Sequence, residues 1–202
     1  MTAFEKLDTV FKLQQSHAMQ LKRSSYKDRI EKLNRLKILL ENKYRDLFCE
    51  SLKKDLNKPS VETDLTEIYP VIKEIKYVKR HLKSWLRKNY VSTPIALFGS
   101  QSYTIYEPKG VCLIMSPWNF PVNLTLSPLI SAIAAGNTVI IKPSEMSSYT
   151  SAVLKLLIEE LFDENEVFLI EDDVVVAQHL LKLPFDHLFF TGSPEIGRLV
   201  MK

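Results

Sequence analysis

Three short stretches of the sequence place polar side chains directly after apolar runs. Ser116-Pro117-Trp118-Asn119 follows one run, Lys142-Pro143-Ser144-Glu145 follows a second, and Gly192-Ser193 follows a third. They supply an amide, a lysine–carboxylate pair and a glycine turn. Open parallel sheets bind ligands at the carboxyl ends of their strands, so these three loops could share one ligand.

Asn119 is the candidate for stabilising a developing negative charge. It stands between Trp118 and Phe120-Pro121, and a neutral amide held by such neighbours donates to an oxyanion without adding a charge that titrates. An asparagine here could equally cap the next helix or close an Asx-turn. The residues alone leave both interpretations open.

Lys142 and Glu145 are candidates for binding a ribose. Pro143 stiffens the loop between them, and a cation with a carboxylate at a strand end can hydrogen-bond ribose hydroxyls. The carboxylate would also disfavour an added 2′-phosphate. The alternative is a surface ion pair, which is worth about 0–1 kcal/mol.

The segment Thr191-Gly192-Ser193-Pro194-Glu195-Ile196-Gly197 predicts a strand–turn–helix junction. A glycine lets the backbone approach a ligand, and a helix N-terminus offers unpaired N–H groups, so both features favour a pyrophosphate. The dinucleotide fingerprint G-x-G-x-x-G is absent. Gly192 and Gly197 could therefore serve only a structural turn.

The elements that position these loops follow an alternating strand and helix pattern. Val111–Met115 and Val139–Ile141 are apolar throughout, as in strands that are covered on both faces, and the intervening helix, 122–135, ends at Gly136-Asn137. This pattern predicts a doubly wound, Rossmann-like parallel sheet. Further strands are expected at 167–170 and 187–190, and further helices at 149–162, from Asp172-Asp173 to about Lys182, and from Pro194.

The first half of the chain predicts helices that serve packing. Apolar residues recur at helical spacing over 3–22, from a Ser25/Asp28 capping box to about Leu52, and over 63–88, where Pro70 marks either a kink or a late first turn. None of these residues calls for a chemical role. After them, 93–98 and 103–106 flank Gly99-Ser100-Gln101-Ser102 and predict a β-hairpin.

Composition excludes several classes of protein. The 202 residues are 46% hydrophobic and 25% charged, as in soluble globular proteins, and no apolar run reaches the ~20 residues of a membrane span. Residues 1–90 hold 21 basic and 12 acidic side chains (+9), which leaves 6 and 12 (−6) for 91–202. This asymmetry indicates two structural units. The basic half does not read as a nucleic-acid surface, because its lysines alternate with acids and lack interleaved aromatics.

Cysteine and histidine usage gives no sign of a metal site. Cys49 and Cys112 lie in apolar patterns typical of core residues in a reducing, cytoplasmic compartment. The four histidines are scattered along the chain. We therefore expect no bound metal.

The combined motifs PWNFP, AAGNTVIIKPSE and FFTGSPEIG resemble the aldehyde dehydrogenase superfamily, and FDHLFFTGS with the helical lead-in is most similar to its class 3, fatty-aldehyde-type branch. The resemblance implies an NAD(P)-binding Rossmann-like domain, a catalytic domain and a small bridging arm. It further implies oxidation of an aldehyde through a cysteine thiohemiacetal, hydride transfer to NAD or NADP, and thioester hydrolysis. Residues 1–90 would pack on the nucleotide-binding domain, 91–107 would form the arm hairpin, and 108–202 would begin the NAD(P)-binding domain.

The same resemblance assigns expected roles to individual residues. Asn119 matches the oxyanion amide, and the remaining matches are cofactor contacts. These are Ser116, Pro117 and Trp118 along the cofactor, Lys142 and Glu145 at the adenine ribose, Gly192 and Ser193 beside the pyrophosphate, and Ile196 and Gly197 in the helix that follows.

The sequence departs from the family pattern at three points. In the family the nucleophilic cysteine and the general-base glutamate follow the glycine–serine segment, and this chain contains neither of them. Cys49 and Cys112 both precede that segment and do not match the nucleophile. Glu171-Asp172-Asp173 replaces residues that are often glycine, and Pro194 replaces a common threonine and removes one N–H. The chain is thus expected to be the N-terminal portion of an enzyme cut inside a helix, and inactive alone.

The family resemblance implies a homodimer that acts on fatty or aromatic aldehydes. Two alternatives remain open from the sequence. One is a short, non-catalytic protein that uses the hairpin and the basic helices for assembly. The other is an acyl-CoA or acyl-phosphate reductase, which shares the thioester chemistry.

Overall fold

A computed structural model describes residues 2–171 and 173–201, and its N-terminal half is helical. The capping boxes Thr2/Glu5 and Ser25/Asp28 open the first two helices, and the second of these was predicted. Single π-helical turns at Leu40–Tyr44 and Asp64–Ile68 join successive helices into longer rods. The helices are α1 (Ala3–Leu21), α2 (Tyr26–Leu39), α3 (Arg45–Leu56), α4 (Ser60–Thr63) and α5 (Tyr69–Trp85).

The second half alternates strands and helices as predicted. After the short strands β1 (Asn89–Val91) and β2 (Ser102–Thr104) come β3 (Val111–Met115), α6 (Asn123–Ala135), β4 (Thr138–Lys142), α7 (Ser148–Leu161), β5 (Val167–Leu169), α8 (Val174–Leu180), β6 (His187–Phe190) and α9 (Pro194–Val200). The sheet has the order β5-β4-β3-β6, and every described pairing in it is parallel. The order reverses at β3, so the crossovers cover both faces of the sheet.

Burial explains why the central strands are apolar throughout. Cys112 and Ile114 of β3 face a core built with α2, α3, α5, α6 and α7, whereas Val111 and Leu113 face a second core built with α1 and α8. All residues of β3 and β4 are buried. The predicted doubly wound α/β fold is confirmed, and it brings the carboxyl ends of β3, β4 and β6 to one edge.

The turn from α6 to β4 depends on a glycine. Gly136 has φ +89°, and a Cβ at this position would lie 2.7 Å from an Arg29 guanidinium nitrogen. That guanidinium is buried and donates to the Ala134 carbonyl at 2.9 Å. Left-handed backbone and a close side chain both require glycine here, as the Gly-Asn stop signal predicted.

The hairpin lies elsewhere than the sequence predicted. The first strand is Asn89–Val91 rather than 93–98, and it pairs antiparallel with Ser102–Thr104. Pro94 has no N–H for a ladder, and the segment after it forms a 3₁₀ turn, Ile95–Leu97. Thr93 is outside the strand, where its Oγ1 accepts from the Ser102 N–H at 3.0 Å.

The helix predicted from Asp172-Asp173 begins one residue later. Asp173 is the N-cap of α8, and its Oδ1 accepts from the Val175 N–H at 2.8 Å. Asp172 lies outside the described residues. Across the helices that the structure describes, no segment is long and apolar enough to cross a membrane.

Candidate functional site

The three polar loops meet in one cleft at the carboxyl edge of the sheet. Strand register explains this, because Met115 at the end of β3 stands beside Lys142 of β4 and Phe190 of β6. The cleft has a volume of about 400 Å³. Its lining includes most of the residues singled out from the sequence: Ser116, Pro117, Trp118, Lys142, Glu145, Gly192, Ser193 and Ile196.

Lys142 is a buried cation at the wall of this cleft. Its side chain is 6% exposed, and Nζ donates to Glu145 Oε2 at 2.9 Å, while Glu145 is 50% exposed. This bond lowers the pKa of the Glu145 carboxyl. Among the described residues it is the only hydrogen bond of the ammonium, so two of its three donors remain for a ligand. The alternative of a surface ion pair does not describe Lys142.

The loop after β3 is anchored to its neighbours by buried polar contacts. Ser116 Oγ lies 2.6 Å from Thr125 Oγ1 of α6, and the Ser116 N–H donates to the Lys142 carbonyl at 3.2 Å. Pro117 is half-buried, and Trp118 is exposed at the rim. These contacts hold the loop beside β4 before any ligand arrives.

The turn after β6 packs on an aromatic ring. A Cβ at Gly192 would lie 2.4 Å from Phe190 Cζ, so this position excludes every larger residue unless the ring moves. The Thr191 N–H donates to the Met115 carbonyl at 3.0 Å, and Ser193 is the N-cap of α9. Gly197 lies inside α9 rather than along the cleft, and a Cβ there would meet Phe190 at an ordinary 3.5 Å.

Asn119 follows Trp118 in the same loop but is not among the residues that line the cleft. It is exposed, and its Oδ1 accepts from the N–H of the next residue, Phe120, at 3.1 Å, which is not the bond to the second residue on that an Asx-turn makes. Among the described residues its Nδ2 has no hydrogen-bond partner. The amide nitrogen is thus available as a donor while the amide oxygen is engaged.

Lys58 and Glu67 contact the Asn119 loop, although the sequence predicted no chemical role for either residue. Lys58 Nζ donates to Glu67 Oε1 at 2.6 Å and to the Asn119 carbonyl at 2.7 Å. Burial raises the pKa of the Glu67 carboxyl, against the opposing effect of Lys58 and two backbone N–H groups. The only sequence signal was a lysine at the Asn57-Lys58-Pro59 helix break, which is weak.

The acidic stretch 171–173, which departs from the family pattern, makes structural contacts where it is described. Glu171 lies 3.5 Å from Lys155 Nζ, and Asp173 caps α8. These two carboxylates are therefore engaged at helix surfaces.

Neither cysteine is placed or tuned to act as a nucleophile. Cys49 is half-buried in α3, Cys112 is buried in β3, and neither lines the cleft. Burial raises the pKa of both thiols, that of Cys112 to about 11. In residues 2–171 and 173–201, no cluster of histidine, cysteine or acidic side chains could hold a metal ion.

Comparison with known proteins places this geometry in a family. The aldehyde dehydrogenase family model matches residues 3–202. The 4,4'-diaponeurosporen-aldehyde dehydrogenase of Staphylococcus aureus is 44% identical over 85% of this chain and 37% of its own length. Aldehyde dehydrogenase family 3 member H1 of Arabidopsis thaliana is 35% identical over 87% of this chain and 36% of its own.

Solved structures agree with the sequence comparison. The substrate-bound state of Staphylococcus aureus AldH has a TM-score of 0.92 and 39% identity, and the match covers 96% of this chain and 42% of that one. An NADP⁺ complex of succinic semialdehyde dehydrogenase from Streptococcus pyogenes, at 18% identity and a TM-score of 0.85 over 43% of its length, shares the fold. The chain spans about 34–44% of the length of the curated relatives it matches. It belongs to the aldehyde dehydrogenase family, and its relatives include class 3 members.

Proposed function

We propose that this chain is the N-terminal, cofactor-binding portion of an NAD(P)-dependent aldehyde dehydrogenase that oxidises an aldehyde to a carboxylic acid. The observation that carries the proposal is the shared cleft, in which loops from three neighbouring strands bring Trp118, Lys142, Glu145 and Ser193 together. Residues 1–90 pack on the nucleotide-binding unit, and 108–202 begin it.

The cleft suits a dinucleotide. Lys142 has free donors and Glu145 remains an acceptor at neutral pH, so the pair can hydrogen-bond the adenine ribose hydroxyls. The Glu145 carboxylate disfavours a 2′-phosphate, and NAD should therefore bind more tightly than NADP. Gly192 and Ser193 would hold the pyrophosphate, with Ile196 and Gly197 in the helix that follows. The bound nicotinamide supplies the hydride acceptor.

Asn119 supplies the oxyanion donor. Its Nδ2, which has no hydrogen-bond partner in the described part of the chain, can donate to the oxygen that gains charge when a cysteine thiolate attacks the aldehyde carbon. The thiolate and the general base come from outside the 202 residues, because Cys49 and Cys112 have raised pKa values and lie outside the cleft.

The substrate and assembly follow from the family. We propose a fatty or aromatic aldehyde as substrate and a homodimer in the cytoplasm as the working form. The hairpin tip supports the dimer, because Ile95 and Phe98 are 92% and 96% exposed, which is unusual for large apolar side chains without a partner surface.

Expression of the complete reading frame tests the proposal. We expect NAD-dependent oxidation of a medium-chain aldehyde by the complete product and none by the 202-residue chain. A reading frame without a further cysteine and glutamate would contradict the enzyme assignment. Turnover by the 202-residue chain that survives Cys49→Ala plus Cys112→Ala would contradict the external nucleophile.

A further inference from the structure

We propose that Lys58 and Glu67 form a buried clamp that fixes the position of Asn119, and that they are positioning residues for the reaction. The functional part of this inference rests on the oxyanion role proposed above for Asn119. The clamp itself rests on contacts that two residues of the helical half make with the loop at 119–123.

The clamp begins with an ion pair removed from solvent. The side chains of Lys58 and Glu67 are 8% and 0% exposed. Lys58 follows Asn57, whose left-handed backbone (φ +54°) ends α3, and Glu67 lies in the π-helical turn before α5. These two irregular points in the helical half therefore place opposite charges together in contact with the Asn119 loop.

The pair holds both ends of the segment 119–123. At one end Lys58 Nζ donates to the Asn119 carbonyl at 2.7 Å. At the other end Glu67 Oε2 accepts from the N–H groups of Val122 at 3.1 Å and Asn123 at 2.9 Å, which lie at the start of α6, where a helix supplies no acceptor of its own. Between them, Lys58 Nζ lies 4.1 Å from the centre of the Phe120 ring.

These contacts determine position more than stability. A buried ion pair gains little over an apolar pair of the same size, because both charges lose their hydration. An oxyanion donor, however, must lie about 2.7–3.1 Å from the reacting oxygen, and a displacement of 1 Å costs about 100-fold in rate. Asn119 is exposed, so its own packing cannot hold it; the backbone beneath it must do so.

A variant with methionine at both positions separates the two effects. Lys58→Met plus Glu67→Met replaces the charges by apolar side chains of similar length, so no buried charge is left unpaired and we expect the fold to be retained. Glu67→Gln is the second variant, because it keeps the shape and removes the charge. Lys32→Met is the matched control, since Lys32 pairs with Glu166, which lies beside the start of β4 and accepts from the Val139 N–H through its carbonyl.

Hydrogen exchange of the 202-residue chain tests the clamp directly. We expect amide exchange in 119–123 to rise at least 10-fold in the double-methionine variant and less in Glu67→Gln, with the sheet unchanged. Lys32→Met should leave 119–123 at the wild-type rate. Wild-type exchange at 119–123 in both clamp variants would overturn the proposal.

Kinetics of the complete reading-frame product test the catalytic consequence. We expect the double-methionine variant to lower kcat about 10- to 100-fold, with the KM for NAD within about threefold of wild type. Adding Asn119→Ala should lower kcat no further than Asn119→Ala alone, because both act through one amide. Losses that multiply would contradict the positioning role. An Asn119→Ala variant with wild-type kcat would refute the oxyanion role while the exchange result still decides the clamp.

Discussion

The β4 side and the β6 side of the cleft are built very differently. Beside β4, the lysine is buried, the adjacent Ser116 loop is bound to α6 through Thr125, and every residue of the strand is covered. Beside β6, the strand is only partly buried, and none of the residues of α9 is buried. The outer edge of β6 has no strand partner among the described residues.

This difference indicates which part of the proposed cofactor site the chain would complete by itself. The β4 side presents its charged pair on a covered strand, so it should bind the adenosine end of a dinucleotide as it stands. The β6 side depends on the close packing of Gly192 against the Phe190 ring, so a substitution should disturb its geometry more easily than that of the β4 side.

The reactivity of Cys112 reports whether β6 stays attached to β3. Cys112 stands between Val139 of β4 and His187 of β6, and its pKa is raised to about 11. At pH 8 a thiol with this pKa is about 200-fold less ionised than an ordinary thiol of pKa 8.5, so alkylation should be slower by about that factor. Timed iodoacetamide labelling with mass spectrometry measures the rate, and unfolded chain is the control. Rapid labelling of Cys112 would show that the β6 side opens.

Lys142→Met should weaken NAD binding about 10- to 100-fold. A hydrogen bond to a charged group is worth about 1.5–3 kcal/mol, and methionine fills the buried channel without donating. Isothermal titration calorimetry gives the affinity, and the melting temperature confirms that the fold is kept. Lys155→Met is the matched control, because Lys155 pairs with Glu171 on the surface of α7. Equal affinities for wild type and Lys142→Met would contradict the assignment of the β4 side.

Gly192→Ala should weaken NAD binding about 5- to 50-fold by moving the turn. The new Cβ would lie 2.4 Å from Phe190 Cζ, and overpacking of this kind costs about 1–3 kcal/mol. Adding Phe190→Leu should restore most of the affinity, since the obstacle is the ring. Gly197→Ala, with its 3.5 Å contact, should bind like wild type. An unchanged affinity in Gly192→Ala would show that the β6 turn takes no part in binding.

Glu145→Gln should have a small effect on stability, at most about 1 kcal/mol, because the carboxylate is half-exposed. Lys142 lowers the pKa of Glu145 in the folded chain. The pair therefore stabilises the fold above the unfolded pKa of about 4.3, and this contribution is lost as pH falls through the lower folded value. Urea denaturation between pH 3 and 7 should show a shallower acid loss in the variant; a steeper loss would contradict the sign. The variant should also discriminate less against NADP.

Local patterns predicted most of the fold. The unbroken apolar runs at 111–115 and 139–141 required cover on both faces, and the Gly136 stop signal marked the end of α6. The first hairpin strand was wrongly predicted at 93–98 from its apolar residues, although Pro94 lies within that segment. Proline's missing N–H was the stronger constraint.

The candidate site was predictable where it lies next to strand ends in the sequence. Lys142 and Ser193 were found because a polar residue after a buried strand points to the binding edge of a sheet. Lys58 and Glu67 were missed because their partner, the Asn119 loop, is more than 50 residues away along the chain. Helical periodicity describes which face of a helix is buried and carries no information about such a distant contact.

Fluorescence of Trp118 gives the most direct test of the shared cleft. Trp118 lines the cleft, whereas the other tryptophan, Trp85, stacks near His81 in a different groove, so Trp85→Phe leaves Trp118 as the reporter. NAD should quench the fluorescence saturably, with a Kd on the order of 1 mM for the 202-residue chain, and Lys142→Met should shift the curve at least 10-fold. Absence of saturable quenching, or the same curve in Lys142→Met, would show that the three loops do not share a ligand.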